Sequence, residues 1–127
     1  MAKFRSWNEE GQRFVYFEDG EYYLIVHKVR TIGAFPYKFN WQNKEQSTGL
    51  KLGDRTEIFV GDNFFDETDN SISTVVIKEH IFQWELRELY QGVLSEVIDY
   101  YPIVDVYLNR IDKLGNTHQN PELLEQQ

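Results

Sequence analysis

The chain has 127 residues with 13 basic and 21 acidic side chains, a formal net charge of -8, and 20 aromatic residues making up 16% of the sequence. A chain this long can bury roughly two-thirds of its unfolded surface in a single core. The absence of cysteine excludes disulfides, thiolate nucleophiles and cysteine-ligated metals, and so many aromatics exclude a disordered acidic tail.

The N-terminus, Met1 to Glu10, lacks the apolar stretch of a secretory signal. The longest apolar runs, such as Leu24-Ile25-Val26, are far shorter than the roughly 20 residues that span a bilayer. The expected compartment is the cytosol, with no membrane contact. Residues 1–50 carry seven basic and six acidic side chains, and residues 51–127 carry six and fifteen. The acidic C-terminal part repels a phosphate backbone, so duplex nucleic acid is not the expected partner.

In chain order, Phe4–Trp7, Arg13–Phe17, Tyr22–Val26 and Lys28–Ile32 read as strands because they are short β-branched and aromatic runs. Asp19-Gly20 between two of them signals a type I′ hairpin, so an N-terminal meander is expected. Residues 33–49 follow as a long connection or a bent edge strand, broken by Gly33 and Pro36. Their alternating Phe35, Tyr37, Phe39 and Trp41 suit either a stacking platform for bases or sugars or packing over the open end of a small barrel. Thr56–Val60 reads as a strand, with tight turns at Gly53-Asp54 and Gly61-Asp62 in which Asp62 caps nearby amides. The acidic run Asp66, Glu67, Asp69 lacks the ligand pattern of an EF-hand and reads as a solvated hairpin tip.

Ile72–Ile77 and Ile81–Leu86 are the next strands, with a turn at Lys78-Glu79-His80. Phe82, Leu86, Leu89, Tyr90, Val93 and Val97 also fit a helical stripe, which predicts a short helix over 94–101 stopped by Pro102. Ile103–Ile111 alternates as a strand. Asn120 as N-cap and Pro121 as first helical residue open a second short helix at the C-terminus. The fold class expected is mainly β, a small SH3-like or pseudo-barrel meander with one or two short C-terminal helices.

No catalytic constellation emerges. His27 sits in a strand run, His80 in a turn and His118 in a loop, and no two form a ligand pair on one element. The serines lie outside any nucleophile elbow. The carboxylate pairs Asp62/Asp66 and Glu96/Asp99 carry no sign of divergent environments. No cofactor or metal is expected.

Three segments together carry a resemblance: Lys3-Phe4-Arg5-Ser6-Trp7-Asn8 with Phe14-Val15-Tyr16-Phe17; Ser47-Thr48-Gly49-Leu50-Lys51 with Glu57-Ile58-Phe59-Val60-Gly61-Asp62; and Gly115-Asn116-Thr117-His118-Gln119-Asn120-Pro121-Glu122-Leu123-Leu124. In order and position they resemble the YopX family of small proteins encoded by temperate phages and prophages. The resemblance implies one YopX-like domain over 1–127, a barrel-like β fold, expression in the host cytoplasm and self-association, with no catalytic residues to transfer. Its motif positions read as structural: Trp7 for the core, Gly49 and Gly61 for turns, Asn120 and Pro121 for a helix start. The function expected is an accessory protein-interaction or self-assembling module that binds itself or a host or phage protein. The alternative is a regulator that associates with nucleic acid through Phe35, Tyr37, Phe39 and Trp41, or that mimics nucleic acid through its acidic residues.

Overall fold

The computed structural model of the protein describes residues 2–33, 36–53, 55–66, 69–103 and 112–116. The described chain is mainly antiparallel β-sheet and divides into two compact units, residues 1–47 and 48–127. Both are built from short runs rich in aromatic and β-branched residues joined by tight turns.

The first unit is a meander of β1 (Lys3–Asn8), β2 (Arg13–Glu18), β3 (Glu21–Val26) and β4 (Val29–Ile32), each paired with the next. Its turns are tight. Asp19 and Gly20 both take positive φ (55° and 80°), as the type I′ expectation requires, and so do His27 and Lys28 (51° and 65°). His27 and Lys28 are therefore turn residues, where His27 was expected in a strand run and Lys28 at the start of the strand Lys28–Ile32, which instead begins at Val29. A 3-10 turn at Trp41–Asn43, capped by the Asn40 side chain, leads into β5 (Glu45–Lys51), where Glu45 and Gln46 pair with Arg5 and Phe4 of β1.

The second unit begins within β5. Thr48 donates its hydroxyl to the Ile58 carbonyl in β6 (Glu57–Phe59), and Gly49, expected at a turn, lies instead within β5 with a φ of 78°, which favours glycine. Then come β7 (Asp62–Asp66), β8 (Ser71–Lys78) and the ten-residue β9 (Ile81–Tyr90). The last pairs near its end with β10 (Val93–Leu94) and nearer its start with β11 (Asp99–Pro102), while β12 (Asp112–Asn116) lies against β7. Ile58, Phe64, Val75 and Trp84 form the core, with Phe64 edge-on to Trp84 at 5.2 Å. Each such fully buried side chain contributes about 1.5–3 kcal/mol of transfer free energy.

The helix expected over 94–101 is absent; those residues are strand and extended chain. The apolar spacing that mimicked a helical stripe is overridden by backbone pairing. The Ser95 amide donates to the Glu88 carbonyl and the Ile98 amide to Leu86, and Tyr100 and Tyr101 lie opposite Glu85 and Trp84. Long β9 offers free ladder positions, and aromatic residues suit them. The helix expected from Asn120-Pro121 falls outside the described residues, as does all but the first residue of the strand expected over Ile103–Ile111.

Glu79 and His80 close the β8–β9 hairpin with φ of 55° and 67°. Left-handed backbone costs a non-glycine residue about 1 kcal/mol, less for Asn. Replacing Glu79-His80 with Asn-Gly is expected to raise stability by about 1 kcal/mol in urea unfolding; no gain would show that the turn is not the I′ turn described.

Candidate functional site

In the first unit, cross-strand register places Phe4 opposite Phe17 and Phe17 opposite Tyr22, so the three rings form one row on one face. Phe39 and Trp41 lie over that row. Trp41 meets Phe17 edge-on at 4.8 Å and Phe39 at 4.8 Å, and its indole N–H donates to the Tyr22 hydroxyl at 3.2 Å. The segment is held down by the Asn40 amide, which donates to Ser6 Oγ at 2.8 Å. Lys44 Nζ sits 5.7 Å from the Phe4 ring centre and 6.0 Å from that of Trp41. Tyr37 packs elsewhere, beside Gly11 and under the Arg13 guanidinium at 5.0 Å. The structure thus brings Phe39 and Trp41 together and separates them from Tyr37; Phe35 lies outside the described residues. Trp41 remains 43% exposed. The base of this cluster, Phe4, Phe17 and Tyr22, was missed as a site in the sequence, although the parity of three strands around a two-residue turn encodes it.

The opposite face carries Arg5, Tyr16 and Tyr23 in one row, with Tyr16 and Tyr23 stacked at 5.3 Å. Arg30 lies 3.8 Å over Tyr23 and 3.2 Å from Glu18 Oε1. Burial raises the Tyr23 pKa above its ordinary value of 10.0, while Lys3 and Arg30 pull in the other direction.

The acidic residues serve local structure. Asp62 is fully buried and its Oδ2 accepts the Phe59 amide at 2.9 Å across a turn in which Gly61 has φ of 95°. Asp66 ends β7 opposite Ser71, Asp69 is exposed in the following turn, and Glu67 lies outside the described residues. Asp99 Oδ1 accepts the Tyr100 amide at 2.8 Å, and Glu96 is exposed. Tyr101 ionises above the ordinary range because of its hydrogen bond with Asp99, reinforced by the charges of Asp99 and Asp69. Tyr100 does so through partial desolvation and then the Glu85 carboxylate, to which its hydroxyl donates at 3.3 Å. Among the described residues no group of three His, Asp or Glu side chains is placed to hold a metal. Trp7 lies edge-on to Phe14 at 4.9 Å; Asn120 and Pro121 are outside the described residues.

A different surface emerges at the β3–β4 hairpin, where Ile25, Val26, Val29 and Ile32 are all exposed, at 51, 37, 61 and 58%. β4 is the terminal strand of its sheet among the described residues. Sequence alone marked these residues as a strand and could not mark them as an edge.

Two outcomes follow. Trp41→Ala is expected to cost about 2 kcal/mol in denaturant unfolding, because edge-to-face pairs contribute about 0.5–1.5 kcal/mol each beyond area; a cost near zero would mean the rings do not brace the sheet. For Tyr23, a folded pKa above the unfolded value gives stability that is complete below pH 10 and lost as pH rises through the folded pKa. Melting temperatures of Tyr23→Phe should therefore fall less steeply above pH 10 than those of the parent, and identical slopes would refute the assignment.

A family model described as YopX protein matches residues 3–125. No curated protein matches the chain. Among solved structures, the crystal structure of protein EF1440 from Enterococcus faecalis is similar at 20% identity over 98% of each chain, with a TM-score of 0.40. With the family model covering nearly its whole length, the chain belongs to the YopX family.

Proposed function

We propose that the protein is a phage- or prophage-encoded accessory protein that works in the cytoplasm of a bacterial host as a non-enzymatic protein-interaction module and associates with itself. The observation that carries this reading is the β3–β4 hairpin, four aliphatic side chains exposed together beside a strand that ends its sheet among the described residues. A sheet edge presents unpaired amides and carbonyls that another chain's strand satisfies, and flanking apolar side chains add affinity. The aromatic residues support the same reading by a different route. Trp41 meets Phe17 and Phe39 edge to face and those two rings lie tilted to each other at 6.1 Å, which makes the three a brace for the sheet presenting that edge. Phage origin, cytoplasmic location and self-association come with the family resemblance. The small-barrel description, with a closing helix from Asn120-Pro121, belongs to the proposal as well, supported by the consecutive pairing of β1 to β4.

The test is retention of a stoichiometric protein on the immobilised full chain from nuclease-treated host lysate, compared with Val29→Asp. A charge placed on the exposed hairpin is expected to weaken retention at least tenfold, about 1.4 kcal/mol, with an unchanged circular dichroism spectrum. Recovery of nuclease-sensitive material alone would favour the nucleic-acid reading instead. A turnover lost on a single polar substitution would overturn the non-enzymatic one.

A further inference from the structure

We infer that β4 is a self-pairing edge: two copies of the chain join antiparallel through Val29–Ile32 about a two-fold axis at Thr31, so that the sheet of the first unit continues from one copy into the other. This rests on the interaction-module reading and names its partner as a second copy.

The backbone dictates which groups are available. The two-residue turn His27-Lys28 closes on the pair Val26 and Val29, so Val29 bonds inward to β3. Antiparallel ladders alternate, so Thr31, opposite Leu24, also bonds inward, and the amides and carbonyls of Arg30 and Ile32 point outward. All four β4 residues are exposed, and proline, a common guard of free edges, is absent from the strand.

Symmetry then selects the register. A two-fold axis perpendicular to the sheet brings residues of the same pleat parity opposite one another, so the axis falls on a residue. At Arg30 it would make like-charged residues direct cross-strand partners, which is unfavourable, and Arg30 alone would exchange bonds. At Ile32 only that residue would exchange bonds, since its neighbours on the ladder lie beyond the strand. At Thr31, Arg30 of each copy exchanges both backbone bonds with Ile32 of the other, giving about four hydrogen bonds. Thr31 then meets its own symmetry mate at the closer, non-hydrogen-bonded position, a favourable threonine pair.

Charge fits the same partner. Arg30 is the only charged residue of β4, and its guanidinium is drawn back across its own sheet, over Tyr23 at 3.8 Å and to Glu18 at 3.2 Å. Its charge is matched at home, so the edge offers a second copy nothing unbalanced. Ile32 of the second copy lands on the aliphatic stem of Arg30, in line with Ile25, and this covers side chains that are otherwise in water.

Because the chain has no cysteine, single cysteines report the geometry directly. Thr31→Cys is expected to form a disulfide-linked dimer as its main species under mild oxidation, since a non-hydrogen-bonded antiparallel pair holds Cα atoms about 4.5–5.5 Å apart, within a disulfide's reach. Val29→Cys is expected to stay uncrosslinked, its two copies lying more than about 12 Å apart. Ile32→Pro removes only an outward amide and is expected to sediment as a folded monomer where the parent chain is a dimer. A parent chain that is monomeric in sedimentation equilibrium, or a dimer that crosslinks at 29 and not at 31 or that survives Ile32→Pro, overturns the inference. The broader reading fails separately: it falls only if the chain neither self-associates nor retains a protein through Val29.

Discussion

The first unit is organised around one charge out of water. Arg5 is 2% exposed, its guanidinium lies 4.1 Å over the Phe14 ring, and its Nε donates to Glu45 Oε1 at 3.0 Å. Removing one partner of a buried ion pair costs about 3–5 kcal/mol, more than a surface pair ever contributes. That difference decides the register of β5. Only two residue pairs connect β1 and β5, Phe4 with Gln46 and Arg5 with Glu45, and so short a ladder would slip were it not pinned by the ion pair. Once Glu45 is fixed, residues 36–44 must return across the face that carries Phe4. Phe39 and Trp41 consequently lie over Phe17 and Tyr22, and the aromatic cluster is a consequence of the charge on the other side of the strand.

Polar burial does the same work in the second unit by a quieter means. Asp62 and Asn63 are both fully buried at the head of β7. Asp62 closes the turn onto the Phe59 amide, the Gly61 amide reaches the Val75 carbonyl at 2.8 Å, and Thr74 donates to Asn63 Oδ1 at 2.6 Å. These bonds satisfy groups that would each cost about 1–3 kcal/mol if left unmade. They set β6, β7 and β8 in one register, and the apolar core of Ile58, Phe64, Val75 and Trp84 packs on the result.

Much of this was legible in the sequence, and the limits are physical. The N-terminal meander was readable because aromatic alternation and Asp19-Gly20 report on neighbours a few residues away. The break at His27-Lys28 was readable only in part: one strand ends at Val26, but a type I′ turn built from residues without a glycine leaves no compositional mark, so Lys28 reads as strand and not as turn. The helix expected over 94–101 failed for the opposite reason: its apolar spacing was real, but β9 supplied backbone partners that sequence spacing does not reveal. The interaction residues divide along the same line. Phe39 and Trp41 were visible as aromatics, while their packing on Phe17 and Tyr22 depends on where β5 returns, a matter of an ion pair between residues forty positions apart. The exposed hairpin was invisible as a surface because being an edge is a property of topology.

The division between braced aromatics and exposed aliphatics also bears on the proposed association of an acidic chain with itself. Two copies of net charge -8 repel one another at long range, over a Debye length of about 8 Å at physiological salt. The repulsion is carried unevenly: residues 1–50 sum to +1 and residues 51–127 to -9. A contact made through the first fifty residues would therefore join nearly neutral surfaces, and Arg30, the only charge on β4, is already held by Glu18 and Tyr23. The same edge placed in the acidic part would set like charges opposite one another along the ladder. An open strand is tolerable when something limits what it pairs with, and the proposed contact would supply that limit through a strand only four residues long, in which a single self-register satisfies the outward amides.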